Sequence, residues 1–223
     1  VASVLFLSAL LLTLSLFFSI SLFSRMASNA MQLLERFDIT SDQIPELFFN
    51  FYGRIAWRFE PIESGINSCR RGFEAGLSNG NSDTSFHCAV QVIKNSIFSG
   101  TNLRVILKEI DYYLHLLETY KCELAKNYML IFRETVSFLI DDGAETSIAA
   151  KAVVGEINDA SNKMREAVFF HKVIQCFWRG YHERCRHYSE KCLPILGQTG
   201  QFNSCMLKFY AGEKVEDVTA YVY

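Results

Sequence analysis

From about residue 26 to residue 212 the chain alternates between runs with apolar residues at helical spacing and short polar turns. The clearest run is 163–196. Its first half puts Ala167, Phe170, Ile174, Phe177 and Trp178 on one face. Gly180-Tyr181 interrupts it, and a second helix is predicted over 183–193, stopped by Pro194. Such a pair, joined by a tight turn, leaves an apolar face that needs a neighbour on each side. The pattern therefore predicts an all-α chain of stacked antiparallel helix pairs.

The remaining runs fit the same plan. A short helix is predicted over 26–37. The next is capped by Thr40 or Ser41 and carries Ile44, Leu47, Phe48, Phe51 and Ile55. Pro61 is expected to start a helix with Ile62, Ile66, Cys69, Phe73 and Leu77 in line, ended by Asn79-Gly80. Asp83 is the expected cap of another, with Phe86, Ala89, Val90, Ile93 and Ile97 as its stripe, ended by Gly100. Asn102 caps a long helix whose stripe is Leu103, Ile106, Leu107, Ile110, Tyr113, Leu114 and Leu117, with Arg104, Lys108, Asp111, His115 and Glu118 facing away. The helix over 123–141 is apolar over a wider arc that includes Leu124, Phe132 and Val136, which predicts burial against more than one neighbour. Weaker helices are predicted over 147–157 and 202–211. Gly100, Gly143 and Gly180 recur about every 40 residues, a period typical of helix-pair repeats. No run alternates as a strand does, and the β-formers of 218–223 are too few to build a sheet.

Residues 1–24 stand apart, with no charge and a preponderance of Leu and Phe. As a helix this stretch would be about 36 Å long, enough to span a hydrocarbon core of about 30 Å. Three readings stay open: a membrane span with Arg25 on its cytoplasmic side, a buried or non-native first helix, or a cleaved signal ending near Ala27-Ser28-Asn29-Ala30. The organisation read is thus 1–25 hydrophobic segment, 26–212 helical-repeat domain and 213–223 irregular tail. The first residue is Val1, and a piece of a longer protein is expected.

Composition narrows the function classes. Among 223 residues half are hydrophobic, ample for a core. A net charge of −2 gives no electrostatic case for nucleic acid. The seven cysteines are odd in number, never spaced C-x-x-C, and mostly set within helical patterns, so they read as small buried residues of a reducing compartment.

Two resemblances follow from particular residues. The run Gly180-Tyr181-His182-Glu183-Arg184-Cys185-Arg186-His187-Tyr188-Ser189-Glu190-Lys191-Cys192-Leu193 resembles the turn and second helix of a tetratricopeptide repeat. Cys185 and Cys192 occupy its two small-residue positions, where alanine is common. More widely, Leu33-Leu34-Glu35-Arg36-Phe37, Ser68-Cys69-Arg70-Arg71-Gly72-Phe73-Glu74-Ala75-Gly76, Phe98-Ser99-Gly100 and Lys208-Phe209-Tyr210-Ala211-Gly212 resemble the helical region after the ATPase module of large STAND-type predicted-ATPase signalling proteins of microbes. That resemblance spans 26–212. It implies a tetratricopeptide-like solenoid and a regulatory scaffold beside kinase or cyclase outputs, without the ATPase itself.

Catalytic chemistry finds little footing. Phosphate-binding G-x-x-x-x-G-K-[ST], G-x-G-x-x-G and kinase motifs are all absent. His182, Cys185, His187 and Cys192 have ligand chemistry, but His187 points about 140° away from His182 on a helix, and no metal site is expected. His171 and Cys176 lack an orienting acid and an oxyanion hole. Glu109 and Asp111 are expected on a solvated face with Lys108. No catalytic residue and no cofactor is therefore assigned. The candidate partner-binding patch is Arg179, Tyr181, Arg184, Arg186 and Tyr188, with Glu183 and Glu190 expected to neutralise it. The expected function is a non-catalytic scaffold. It would hold a protein partner or neighbouring domains of its parent chain, in the cytoplasm, with a membrane contact available through 1–24. The alternative is a single-pass membrane-anchored helical protein.

Overall fold

A computed structural model describes residue 29 and residues 43–54, 56, 60–141 and 162–192. The described part is all-helical, with seven helices and no strand: α1 Ile44–Arg54, α2 Ser64–Ser78, α3 Ser82–Phe98, α4 Leu103–Tyr120, α5 Glu123–Ile140, α6 Asn162–Trp178 and α7 His182–Cys192. Among these residues no helix is long and apolar enough to cross a membrane. The stretch 1–24, the helices expected over 26–37, 147–157 and 202–211, the turn at Gly143 and the tail lie outside the described residues.

Glycine sets the turns. Gly80, Gly100 and Gly180 all take positive φ, between 71° and 76°. Each follows a helix whose end it closes with the same pair of hydrogen bonds: Asn81 N to Gly76 O and Gly80 N to Leu77 O, then Thr101 N to Ser96 O and Gly100 N to Ile97 O, then Tyr181 N to Cys176 O and Gly180 N to Phe177 O. This is a left-handed glycine cap, which a Cβ would strain. The turn between α4 and α5 uses Lys121 in the same region, at φ 57°.

Local sequence sets the starts. Asn102 Oδ1 accepts from Arg104 N at 2.9 Å, as its position predicts. Asn81, not Asp83, caps α3 and accepts from Thr84 N, because the cap sits directly after the glycine turn. Pro61 does not open α2. A turn through Ile62 and Glu63 precedes it, with Ser64 N bonded to Pro61 O.

The chain divides into two compact units, one taking the described residues 43–101 and 116–125, the other 102–115 and 126–192. In the first, α1, α2 and α3 pack against one another. Leu47, Phe48, Phe51, Cys69, Phe73, Phe86, Cys88, Ala89, Val92 and Ile93 form its interior. Phe86 meets Phe73 edge-on at 5.6 Å and Tyr120 at 5.5 Å. A small-residue line on α2 permits this closeness. A Cβ on Gly76 would fall 2.8 Å from the Ser85 Cβ and 3.1 Å from Pro45 Cγ, and one on Gly72 would fall 3.0 Å from Cys88 Sγ. Helix α3 buries Ser85, Gln91, Asn95 and Ser96 alongside its apolar residues, so it is enclosed on more sides than the Phe86–Ile97 stripe predicts.

In the second unit α6 lies between α5 and α7. Ile131 packs with Met164 and Val168, flanked by Tyr128 and Ala167. Ile106, Ile110 and Tyr113 of α4 are buried, while Arg104, Lys108, Asp111 and His115 face outward, as the stripe requires. Two expected core positions are exposed instead: Leu124 at 52% and Trp178 at 66%. Both stand at a helix end, where period alone cannot say whether a neighbour extends that far.

Candidate functional site

The tip and outer surface of the α6–α7 hairpin hold the candidate patch. Helix α7 buries Cys185, Ser189 and Cys192 toward α6. Cys185 Sγ donates to Val173 O and Cys192 Sγ to Glu166 O, both at 3.7 Å, long contacts typical of a thiol. Small side chains here let the two helices approach.

The five patch residues part company. Arg179 turns inward, donating through Nη2 to Phe138 O at 2.8 Å and Leu139 O at 3.4 Å, with its guanidinium 5.5 Å from the Phe138 ring centre. It thus serves the free carbonyls at the end of α5, where a cation is favoured. The other four lie at or on α7, where each residue turns the side-chain direction by about 100°. On that count Arg184, Tyr188 and Lys191 share about 60° of arc, with Tyr181 brought to it by its contact with Arg184, whereas Glu183 and Glu190 point about 120° from its centre and take Arg186 with them. By this count the acids lie beside Arg186, on a different flank from Arg184 and Lys191.

The basic flank is open at its tip. Tyr181 is 45% exposed, and Arg184 stacks over it at 5.6 Å from the ring centre. Tyr188 is half-buried and its ring lies 6.5 Å from that of Phe169. Trp178 stands beside the turn, edge-on to Phe177 at 5.9 Å. Among the described residues no carboxylate pairs with Arg184, Arg186 or Lys191.

The Cys/His candidates do not assemble. His182 and His187 are exposed while Cys185 and Cys192 are buried, and among the described residues no three of His, Cys, Asp and Glu converge on a metal position. Burial pushes the Cys185 thiol up to about 11, with Cys176 adding to it, and the Cys192 thiol up to about 12, with Glu166 adding to it. Burial also raises the Cys176 thiol against the pull of Arg184 and Lys172. These are poor nucleophiles, since the thiolate is the reactive form. His171 faces Thr135 rather than Cys176.

That contact belongs to a polar layer the sequence reading missed. Thr135 Oγ1 donates to Ile131 O at 3.0 Å, lies 3.0 Å from His171 Nδ1 and accepts from Gln175 Nε2 at 3.1 Å. Lys172 beside His171 pairs with Glu134 and also donates to Gln175 Oε1 at 3.2 Å. The layer ties α5 to α6 and has no group aimed at solvent chemistry. Asp111 and Lys108 are exposed, as the solvated face requires; on it Asp111 pairs with Arg133 at 2.7 Å, and Glu109 accepts from Tyr113.

The first unit holds its own buried titratable set on α2 and α3. Burial takes the Cys69 thiol up to about 12 against the pull of Lys94, and it raises Cys88, whose Sγ sits 3.2 Å from Pro45 O. Burial pulls the Lys94 amine below its ordinary value. Comparison with protein-family models, with curated proteins and with solved structures finds no match.

Proposed function

We propose that the chain is a non-catalytic helical-repeat scaffold of tetratricopeptide-like helix pairs, making regulatory contacts with a protein partner or with neighbouring domains of its own parent protein. One observation carries this reading: the same helix–turn–helix is built twice, exactly one hundred residues apart in number, from different side chains. Gly80 and Gly180 make the same turn, and Ser85 and Cys185 each donate to the carbonyl twelve residues earlier, Phe73 and Val173. Repetition of one unit with changed contents is what stacked repeats do, and their surfaces bind by shape rather than by reactive groups. The raised thiols and the scattered Cys/His groups agree with a non-catalytic part. The likeness of 26–212 to the helices of STAND-type signalling proteins supplies the context: a helical middle beside an ATPase and an output domain.

Small-angle scattering of the full chain tests the scaffold. A stacked row gives a radius of gyration clearly above the value of about 17 Å for a compact chain of this length. A value at that figure sinks the solenoid. The uncharged stretch 1–24 favours a second reading, a single-pass anchor on a cytoplasmic helical domain; release by carbonate extraction would remove it.

A further inference from the structure

The scaffold reading leaves the partner's chemistry open, and the outer flank of α7 narrows it. We propose that Tyr181, Arg184, Tyr188 and Lys191, with Trp178 at the turn, dock an acidic amphipathic helix of a partner protein. The inference rests on the scaffold reading and goes beyond it by naming what is bound.

Charge complementarity carries the argument. Arg184 and Lys191 lie on one flank, seven residues apart, which is about 10 Å along the helix axis. Neither carboxylate of α7 lies on that flank, since Glu183 and Glu190 face another side. Neither cation is engaged in an ion pair among the described residues. Two carboxylates seven residues apart on a facing helix match this spacing. The rings supply the apolar part. Tyr188 lies between the two cations along the helix axis, Tyr181 lies under Arg184, and Trp178 is the most exposed large hydrophobic residue described. Aromatic and arginine side chains together are the usual anchors of protein interfaces. The hairpin supports the flank: α7 buries Cys185, Ser189 and Cys192 against α6, so its backbone is already formed and binding need order only the exposed side chains.

The test uses the full chain and a labelled synthetic amphipathic helix with glutamates seven residues apart and leucine and phenylalanine between them, read by fluorescence anisotropy. The wild type should bind it, more weakly as salt rises. Arg184→Glu with Lys191→Glu should weaken binding by about tenfold or more, while Glu183→Gln with Glu190→Gln should change it by about twofold or less. Circular dichroism checks the fold; Arg184→Gln with Lys191→Gln keeps the test valid should the reversal unfold the hairpin. Unchanged binding by both Arg184/Lys191 variants, or no binding by the wild type, overturns the proposal. So does stronger binding to phosphatidylserine vesicles than to the peptide. A lysine-for-glutamate version of the peptide separates the two levels. If it binds as well as the acidic one and both are lost with Trp178→Ala and Tyr181→Ala, the acidic partner is wrong while the docking surface stands.

Discussion

The α2–α3 and α6–α7 hairpins share a turn and a register but not an environment. In the first, the second helix is enclosed: Phe86, Cys88, Ala89, Val92 and Ile93 are all fully buried. In the other, α7 buries only Cys185, Ser189 and Cys192 and exposes a charged surface. Position 86 is Phe where position 186 is Arg, and position 76 is Gly where position 176 is Cys. The backbone motif thus needs only the glycine turn and small residues facing the partner helix. Everything else on the second helix is free to become core or surface, and surface is where a scaffold gains its specificity.

The comparison can be broken by matched substitutions, read as denaturation free energies of the full chain. Phe86→Ala should cost about 3–5 kcal/mol, because a fully buried aromatic leaves a cavity. Its counterpart Arg186→Ala should stay within about 0.5 kcal/mol. Equal losses would mean that α7 is enclosed as α3 is. Next, Gly76→Ala should cost about 1–3 kcal/mol by pressing on Ser85 and Pro45. Cys176→Ala, which only removes an atom, should cost about 1 kcal/mol. The turns should behave alike: Gly80→Ala and Gly180→Ala each cost about 1 kcal/mol, since both sit at positive φ. A cost at one turn alone would show that the two hairpins are not the same unit.

The smallest effect concerns pH. Thiols raised in the folded chain ionise first in the unfolded one, so their contribution is complete below the ordinary value of 9.0 and fades as pH rises toward about 11 for Cys185 and about 12 for Cys69 and Cys192. Stability should therefore fall above pH 9.0, and less steeply once these three are replaced by alanine. A thiol reagent at pH 8 should spare them while reaching the partly exposed Cys122 before any other described cysteine, as mass spectrometry would show.

How much of this was legible in the sequence differs between backbone and surface. The left-handed end at Asn79-Gly80, the helix ends at Gly100 and Gly180, the cap at Asn102 and the outward face of α4 were readable because each depends on a few neighbouring residues and the helical period. The polar layer of Thr135, His171 and Gln175 was not, because threonine, histidine and glutamine look like surface residues until another helix satisfies their hydrogen bonds. The same holds for Arg179, which reads as a free cation and is spent on the end of α5.

The sequence by itself determined that the described part of the chain is helical, where most of its helices turn, and which residues are small enough for helices to meet. Only the tertiary structure decided which apolar residues stay in water, as Trp178 and Leu124 do, and which charges find no carboxylate among the described residues, as Arg184 and Lys191 do not. The reason is range: turn and cap energies are settled within one or two helical turns of chain, whereas burial and charge pairing depend on side chains tens of residues away.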